Sequence, residues 1–243
     1  MLETIRTPAP AAWIRQGQPF FEYLDEWITG LQPASPKATL QPVEKTAIVS
    51  VDMINGFCHE GPLASPRVAA IIPPIVRLFE QAWAAGVRHI VLAQDTHEPE
   101  AVEFAHYPPH CVRGSHESEA VSEFRALPFY PQMELFEKNS IHAGLNTGLN
   151  AWIDAHPAVT RYIVVGDCTD LCTYQLAMHL RLDANARQIE RRVLLPADCV
   201  DTYDLPVEEA AGVGAVPHDA GVLHRIFLYS MHLNGVEVVA SIG

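Results

Sequence analysis

RYIVVGDCTDLCTYQLAMHLRLDAN, residues 161–185, decides the fold. RYIVV is apolar and β-branched with no polar alternation, the mark of a strand buried on both faces. A polar turn from Gly166 to Cys172 follows. Thr169 or Asp170 then caps a helix that places Cys172 in its first turn. A strand passing through a short turn into a helix is the repeating unit of a parallel α/β sheet.

The same pattern recurs on both sides of this stretch. KTAIVSVD (45–52) and VRHIVLAQD (87–95) are apolar runs that each end in an acid. MELFEK (133–138), RRVLLPAD (191–198) and VEVV (236–239) read as three further strands. Between them lie helical stretches: 66–86, bent or delayed by Pro73 and Pro74 and closed by Gly86; 147–156; and 218–235, closed by Gly235. The reading is a three-layer α/β/α domain over residues 45–243 with a mostly parallel, about six-stranded sheet. Residues 1–44 read as an N-terminal extension. Within it FFEYLDEWITGL (20–31) is an amphipathic helix and LQPASPKATLQP (31–42) a proline-rich connector.

Composition narrows the function. A net charge of −13 opposes binding to nucleic acid or to an anionic membrane. The opening MLETIRTPAPAAW lacks the apolar core of a signal peptide, and no apolar run is expected to span a membrane. Five irregularly spaced cysteines do not form a disulfide framework, which suggests free thiols and a cytoplasmic setting.

In open parallel sheets ligands bind beyond the carboxyl ends of the strands. Asp52, Asp95, Lys138 and the 166–172 turn all fall there, so four separated stretches should converge on one crevice. Cys172 at a helix start has the dipole and free N–H groups that favour a thiolate and could hold an oxyanion. Asp52 could accept its proton, while the Lys138 ammonium stabilises both anions. Independently, DTH (95–97) and the histidine-rich loop after it offer two imidazoles and carboxylates, a donor set suited to Zn²⁺, with Mn²⁺ or Fe²⁺ as alternatives.

VDMINGFC (51–58), FEKNSIHAG (136–144) and GDCTDLCTYQLA (166–177) together resemble the Asp–Lys–Cys cysteine hydrolases that include nicotinamidases, isochorismatases and carbamoyl-amide hydrolases. The resemblance runs from about Lys45 to Val239. DTH and YPPHCVRG (107–114) favour its nicotinamidase branch. It implies a catalytic set of Asp52, Lys138 and Cys172. It also implies a divalent metal on Asp95, His97 and His110, with Glu103 as fourth ligand and His106 in reserve. Phe57 and Tyr107 would sandwich a flat ring. A cis peptide between Asp167 and Cys168 would turn the Cys168 N–H toward substrate, completing an oxyanion hole with Cys172. The implied reaction releases nicotinate and ammonia from nicotinamide, and the implied assembly is a homo-oligomer.

Three departures bear on substrate. Ile54 and Gly56 replace polar residues of the family pattern, and Asp167 stands where a small apolar residue is usual. Ile54 and Asp167 feed a second reading, a hydrolase of another small amide or ureido compound. A third reading, a catalytically silent metal-binding assembly protein, is opposed by the complete Asp–Lys–Cys set.

Overall fold

The computed structural model describes residues 10–243. The opening residues, and the leader reading made on them, lie outside the described residues. Six strands form one sheet: β1 (Thr46–Val51), β2 (His89–Asp95), β3 (Glu134–Lys138), β4 (Arg161–Gly166), β5 (Arg192–Pro196) and β6 (Glu237–Val239). Their spatial order is β3-β2-β1-β4-β5-β6, and every pairing is parallel. The expected layers and sheet are therefore present, with no antiparallel member among the described strands.

Alternate strand residues feed two cores, as the two-residue strand period requires. Ile48, Ile90, Leu92, Ile163 and Val165 pack with the helix Ile72–Ala85 on one face. Ala47, Val49, Val91, Ala93, Tyr162 and Val164 pack with the helices Leu149–Ala155, Cys172–Arg187 and Ala220–Leu233 on the other. With both faces covered, polar side chains on the central strands collect at the strand ends.

Residues 66–85 correct one expectation, because the stretch has the length and apolarity of a membrane span. It is broken at Ile71 into the helices Pro66–Ala70 and Ile72–Ala85, where Pro73 and Pro74 occupy the first turn of the second. The latter's Ile72, Ile75, Leu78, Phe79 and Ala82 are buried in the core, which accounts for the apolar composition without a bilayer.

The N-terminal helix is longer than its amphipathic pattern suggested, spanning Pro10–Thr29 with Pro19 inside it. Phe20, Tyr23 and Trp27 pack against Tyr229 of the last long helix, and Asp25 pairs with Arg225. The connector contains a short helix, Pro36–Leu40. Just before it, the Gln32 carbonyl accepts from Ala240 N–H, and Ala34 donates to Ser241, so this segment runs along the chain that follows β6.

The sheet order reverses between β1 and β4, and the crevice opens there. Gly166 makes the close approach feasible. Its φ is +112°, and a Cβ there would sit 2.0 Å from the Val51 carbonyl oxygen. Gly166→Ala is therefore expected to destabilise the chain by more than about 3 kcal/mol, read as a large fall in thermal midpoint or loss of soluble protein.

Candidate active site

Asp52 follows β1 with φ +56°, a left-handed conformation that Asp tolerates better than most residues. Its N–H donates to the Ala93 carbonyl, and its Oδ1 accepts from Asp95 N–H at 2.8 Å. Oδ2 is thereby aimed at Lys138 Nζ, 2.8 Å away. Lys138 ends β3, pairs in register with Asp95, and is fully buried. Its ammonium also lies 2.6 Å from Asp95 Oδ1, 3.2 Å from the Ser140 carbonyl and 3.6 Å from Cys172 Sγ. The three residues assigned to catalysis thus meet around one cation. Asp52, Asp95 and Cys172 also have metal-ligand chemistry at close range, but the ammonium already occupies the position among them.

The electrostatics follow from burial. Desolvation, with Asp95 adding to it and Lys138 opposing, raises Asp52 to about 7. Burial would raise Asp95 too, but Lys138 and His97 outweigh it and pull that carboxyl below its ordinary value. Burial disfavours the Lys138 ammonium, yet Asp52 and Asp95 more than compensate and hold it protonated. Burial pushes the Cys172 thiol well up, with Asp52 and Asp95 adding to this against Lys138. Burial thus works against the helix-start preference for a thiolate, and Asp52 stands beside the sulfur as the group able to accept its proton.

The turn that carries Cys172 also differs from expectation. The helix Cys172–Arg187 begins after Leu171, with no side-chain cap. Thr169 Oγ1 is instead bonded to His224 Nδ1 (2.9 Å), and Asp170 Oδ2 to His218 Nε2 (2.8 Å). Both candidate caps pin the turn to the C-terminal part of the chain. The Asp167–Cys168 peptide is cis. Leu171 and Thr173 N–H groups both bond to the Cys168 carbonyl, whereas the Cys168 and Cys172 N–H groups have no acceptor among the described residues. These two are the donors available to an oxyanion. Asp167 is buried, and burial, with Asp52 beside it, raises its carboxyl well above the usual range.

Asp95, His97 and His110 bring ligand atoms within 4.8 Å of one another, all buried. His97 Nδ1 lies 2.8 Å from Asn139 Oδ1, and His110 Nδ1 lies 2.8 Å from the Pro108 carbonyl. Both partners are acceptors, so both Nδ1 atoms carry the proton and both Nε2 atoms present lone pairs. His97 Nε2 is buried without a hydrogen-bond partner. A pair of oriented imidazoles, a carboxylate and an orphaned nitrogen fit a divalent metal. Glu103 is half-buried on the same pocket wall but lies outside this tight cluster, and His106 is exposed.

Cys172, Asp52, Asp95 and His110 open into one pocket, walled by Phe57 and Tyr107. These two rings lie 5.7 and 6.2 Å from the His110 ring. Ile54 and Gly56 do not line the pocket. Ile54 is in the core, and a Cβ on Gly56 would come within 2.6 Å of Cys111 Sγ. Their departure from the family pattern is one of packing, not of substrate contact. Sequence reasoning missed Leu63, Ile141, Leu171 and Tyr203 as walls and Asn139 as the orienting partner of His97. Tyr203 follows β5 by seven residues, beyond any strand-end signal.

Comparisons with known proteins identify the family and the fold. The Isochorismatase domain family model matches residues 46–222. Nicotinamidase 1 of Arabidopsis thaliana is 27% identical over 215 residues, covering 80% of this chain and 85% of that protein. The zinc complex of Pyrococcus horikoshii pyrazinamidase superposes with a TM-score of 0.62 at 22% identity, over 80% of this chain and 98% of that one. N-carbamoylsarcosine amidase from Thermoplasma acidophilum gives 0.60 at 23%, over 80% and 95%. The fold is thus shared by enzymes named for different amides. The family match spans well over half of the sequence, and the chain belongs to the isochorismatase family, as an amidohydrolase within it.

Proposed function

We propose that the protein is a nicotinamidase, hydrolysing nicotinamide to nicotinate and ammonia through a thioester on Cys172. The observation that carries this reading is the Asp95–His97–His110 cluster beside the same aromatic-walled pocket as the Cys172 thiol. An amide attached to a flat ring with a basic nitrogen matches a site that pairs a nucleophile with a metal-type cluster between two aromatic faces.

Asp52, raised to about 7, is matched to take the Cys172 proton near neutrality. The sulfur then attacks the amide carbon. Lys138 balances the charge, and the N–H groups of Cys168 and Cys172 receive the oxyanion, each donor worth about 3 kcal/mol of barrier. The C–N bond breaks as Asp52 returns the proton to nitrogen, which leaves as ammonia. Water attacks the thioester as Asp52 takes one of its protons; the C–S bond breaks, Asp52 returns that proton to the sulfur, and the acid leaves as nicotinate, giving its remaining proton to solvent. A divalent metal, Zn²⁺ by its donor set, would be held by Asp95, His97 and His110 and would supply a Lewis-acidic anchor for the pyridine nitrogen. Phe57 and Tyr107 would hold the ring. Glu103 would serve as an outer ligand from the pocket wall.

The second reading, another small amide or ureido compound on the same scaffold, is favoured by one observation. Asp167 offers the pocket a buried carboxyl whose Oδ1 has no hydrogen-bond partner, a group that a pyridine ring does not need.

Ammonia release from a panel of nicotinamide, pyrazinamide and carbamoylated amines tests the proposal. Nicotinamide should give the highest kcat/KM; a preferred carbamoylated amine would overturn it in favour of the second reading. Cys172→Ala should lose at least about 10³-fold in kcat with an unchanged thermal midpoint. Asp52→Asn, which keeps the shape but not the base, should lose about 10²–10⁴-fold. Normal turnover in either removes that residue from the mechanism. Stripping metal with a chelator, checked by elemental analysis, should raise KM for nicotinamide by about tenfold or more, and re-addition of Zn²⁺ should restore it. Full activity in metal-free protein would dismiss the ring anchor.

A further inference from the structure

Beyond β5 the chain reaches Tyr203, leaves on an excursion that includes the exposed helix Val207–Val213, and returns at His218. The neck of the excursion is a two-residue antiparallel bridge, with Leu205 and His218 exchanging N–H to carbonyl bonds of 2.8 Å. Past the neck most of the chain faces solvent, with Val207, Val213 and Val216 70–82% exposed, while Ala210 is buried. The neck itself is anchored. His218 Nδ1 lies 2.8 Å from the Tyr203 carbonyl, and Nε2 lies 2.8 Å from Asp170 Oδ2. A carbonyl and a carboxylate can only accept, so both ring nitrogens donate, and the ring is an imidazolium. That cation lies flat on the Tyr203 ring, with centroids 3.9 Å apart and planes 18° from parallel. A cation over an aromatic face adds attraction to the two hydrogen bonds.

The clamp joins two places that matter. Asp170 belongs to the turn that presents Cys172, and Tyr203 lines the pocket with Phe57 and Tyr107. We propose that Tyr203 is a specificity-determining residue, a third aromatic wall for the substrate ring, and that His218 is the positioning residue that holds this wall by bridging Asp170 to the Tyr203 backbone and stacking on its ring. The substrate class is a flat heteroaromatic amide; an acyclic amide gains little from a third aromatic face. This rests on the amide-hydrolase reading of the same pocket.

Two measurements test it on the full-length, metal-loaded protein. In His218→Ala, amide hydrogen exchange across residues 202–206 should accelerate at least tenfold while the central strands keep their protection. In Tyr203→Ala, KM for nicotinamide should rise about tenfold or more with kcat within about threefold. KM for an acyclic amide should change less, and Tyr203→Phe should keep the wild-type KM because the ring is the wall. Unchanged exchange in His218→Ala, or unchanged KM in a folded Tyr203→Ala, overturns the proposal. Should His218→Ala not fold, His218→Gln carries the same exchange criterion, since its amide cannot bridge and stack at once. A wild-type protein that ignores nicotinamide refutes the proposed function and not the clamp. The exchange arm then stands unaltered, and the wall is read from KM with whichever amide of the panel the wild type hydrolyses.

Discussion

A lysine ammonium buried between two carboxylates organises this molecule. Lys138 Nζ has Asp52, Asp95, a backbone carbonyl and the Cys172 sulfur within 3.6 Å, and almost none of it meets water. An isolated buried charge is costly, and removing one member of such a group leaves the others uncompensated. The cation therefore ties the ends of β1, β2 and β3 to the helix that starts at Cys172. It also sets the neighbouring acid–base chemistry. Asp95, which is also close to His97, stays ionised, while Asp52 is left near neutrality as the group able to exchange a proton.

Asp95 also links the two halves of the site. The same Oδ1 lies 2.6 Å from the lysine and 3.5 Å from His97 Nε2. The cluster suited to a metal and the cluster suited to nucleophilic attack thus share one carboxylate. Asn139 reinforces this link, because the residue that orients His97 follows Lys138 directly in the chain. A short strand and its next residue position parts of both clusters.

Much of this was legible in the sequence because buried parallel strands leave a loud signal. Runs such as TAIVSV and RYIVV have no polar side to hide, so both the strands and their ends could be located. A polar residue closing such a run must sit at the sheet's edge, which placed Asp52, Asp95 and Lys138. The ordering of the strands, and hence the meeting of these residues, needed the coordinates. Helix-start arguments do not include desolvation, which is the largest influence on the Cys172 thiol here and raises it. The helix cap was misread because Thr169 and Asp170 bond to His224 and His218, 55 and 48 residues away in sequence. Long-range polar partners of this kind leave no local trace. Ile54 and Gly56 looked like changes to a pocket but answer to close packing, which a single sequence does not separate from ligand contact.

The pairing of β2 with β3 carries a further implication. Asp95 and Lys138 are direct cross-strand partners at the last position of the ladder. Because side chains alternate along a strand, sliding β3 by one residue in the direction that brings Glu137 opposite Asp95 would turn Lys138 away. A carboxylate would then confront a carboxylate in a dry interior. The native register thus places attraction where that slipped one would place repulsion, so the pairing of β2 with β3 and the geometry of the cleft depend on the same charge pair.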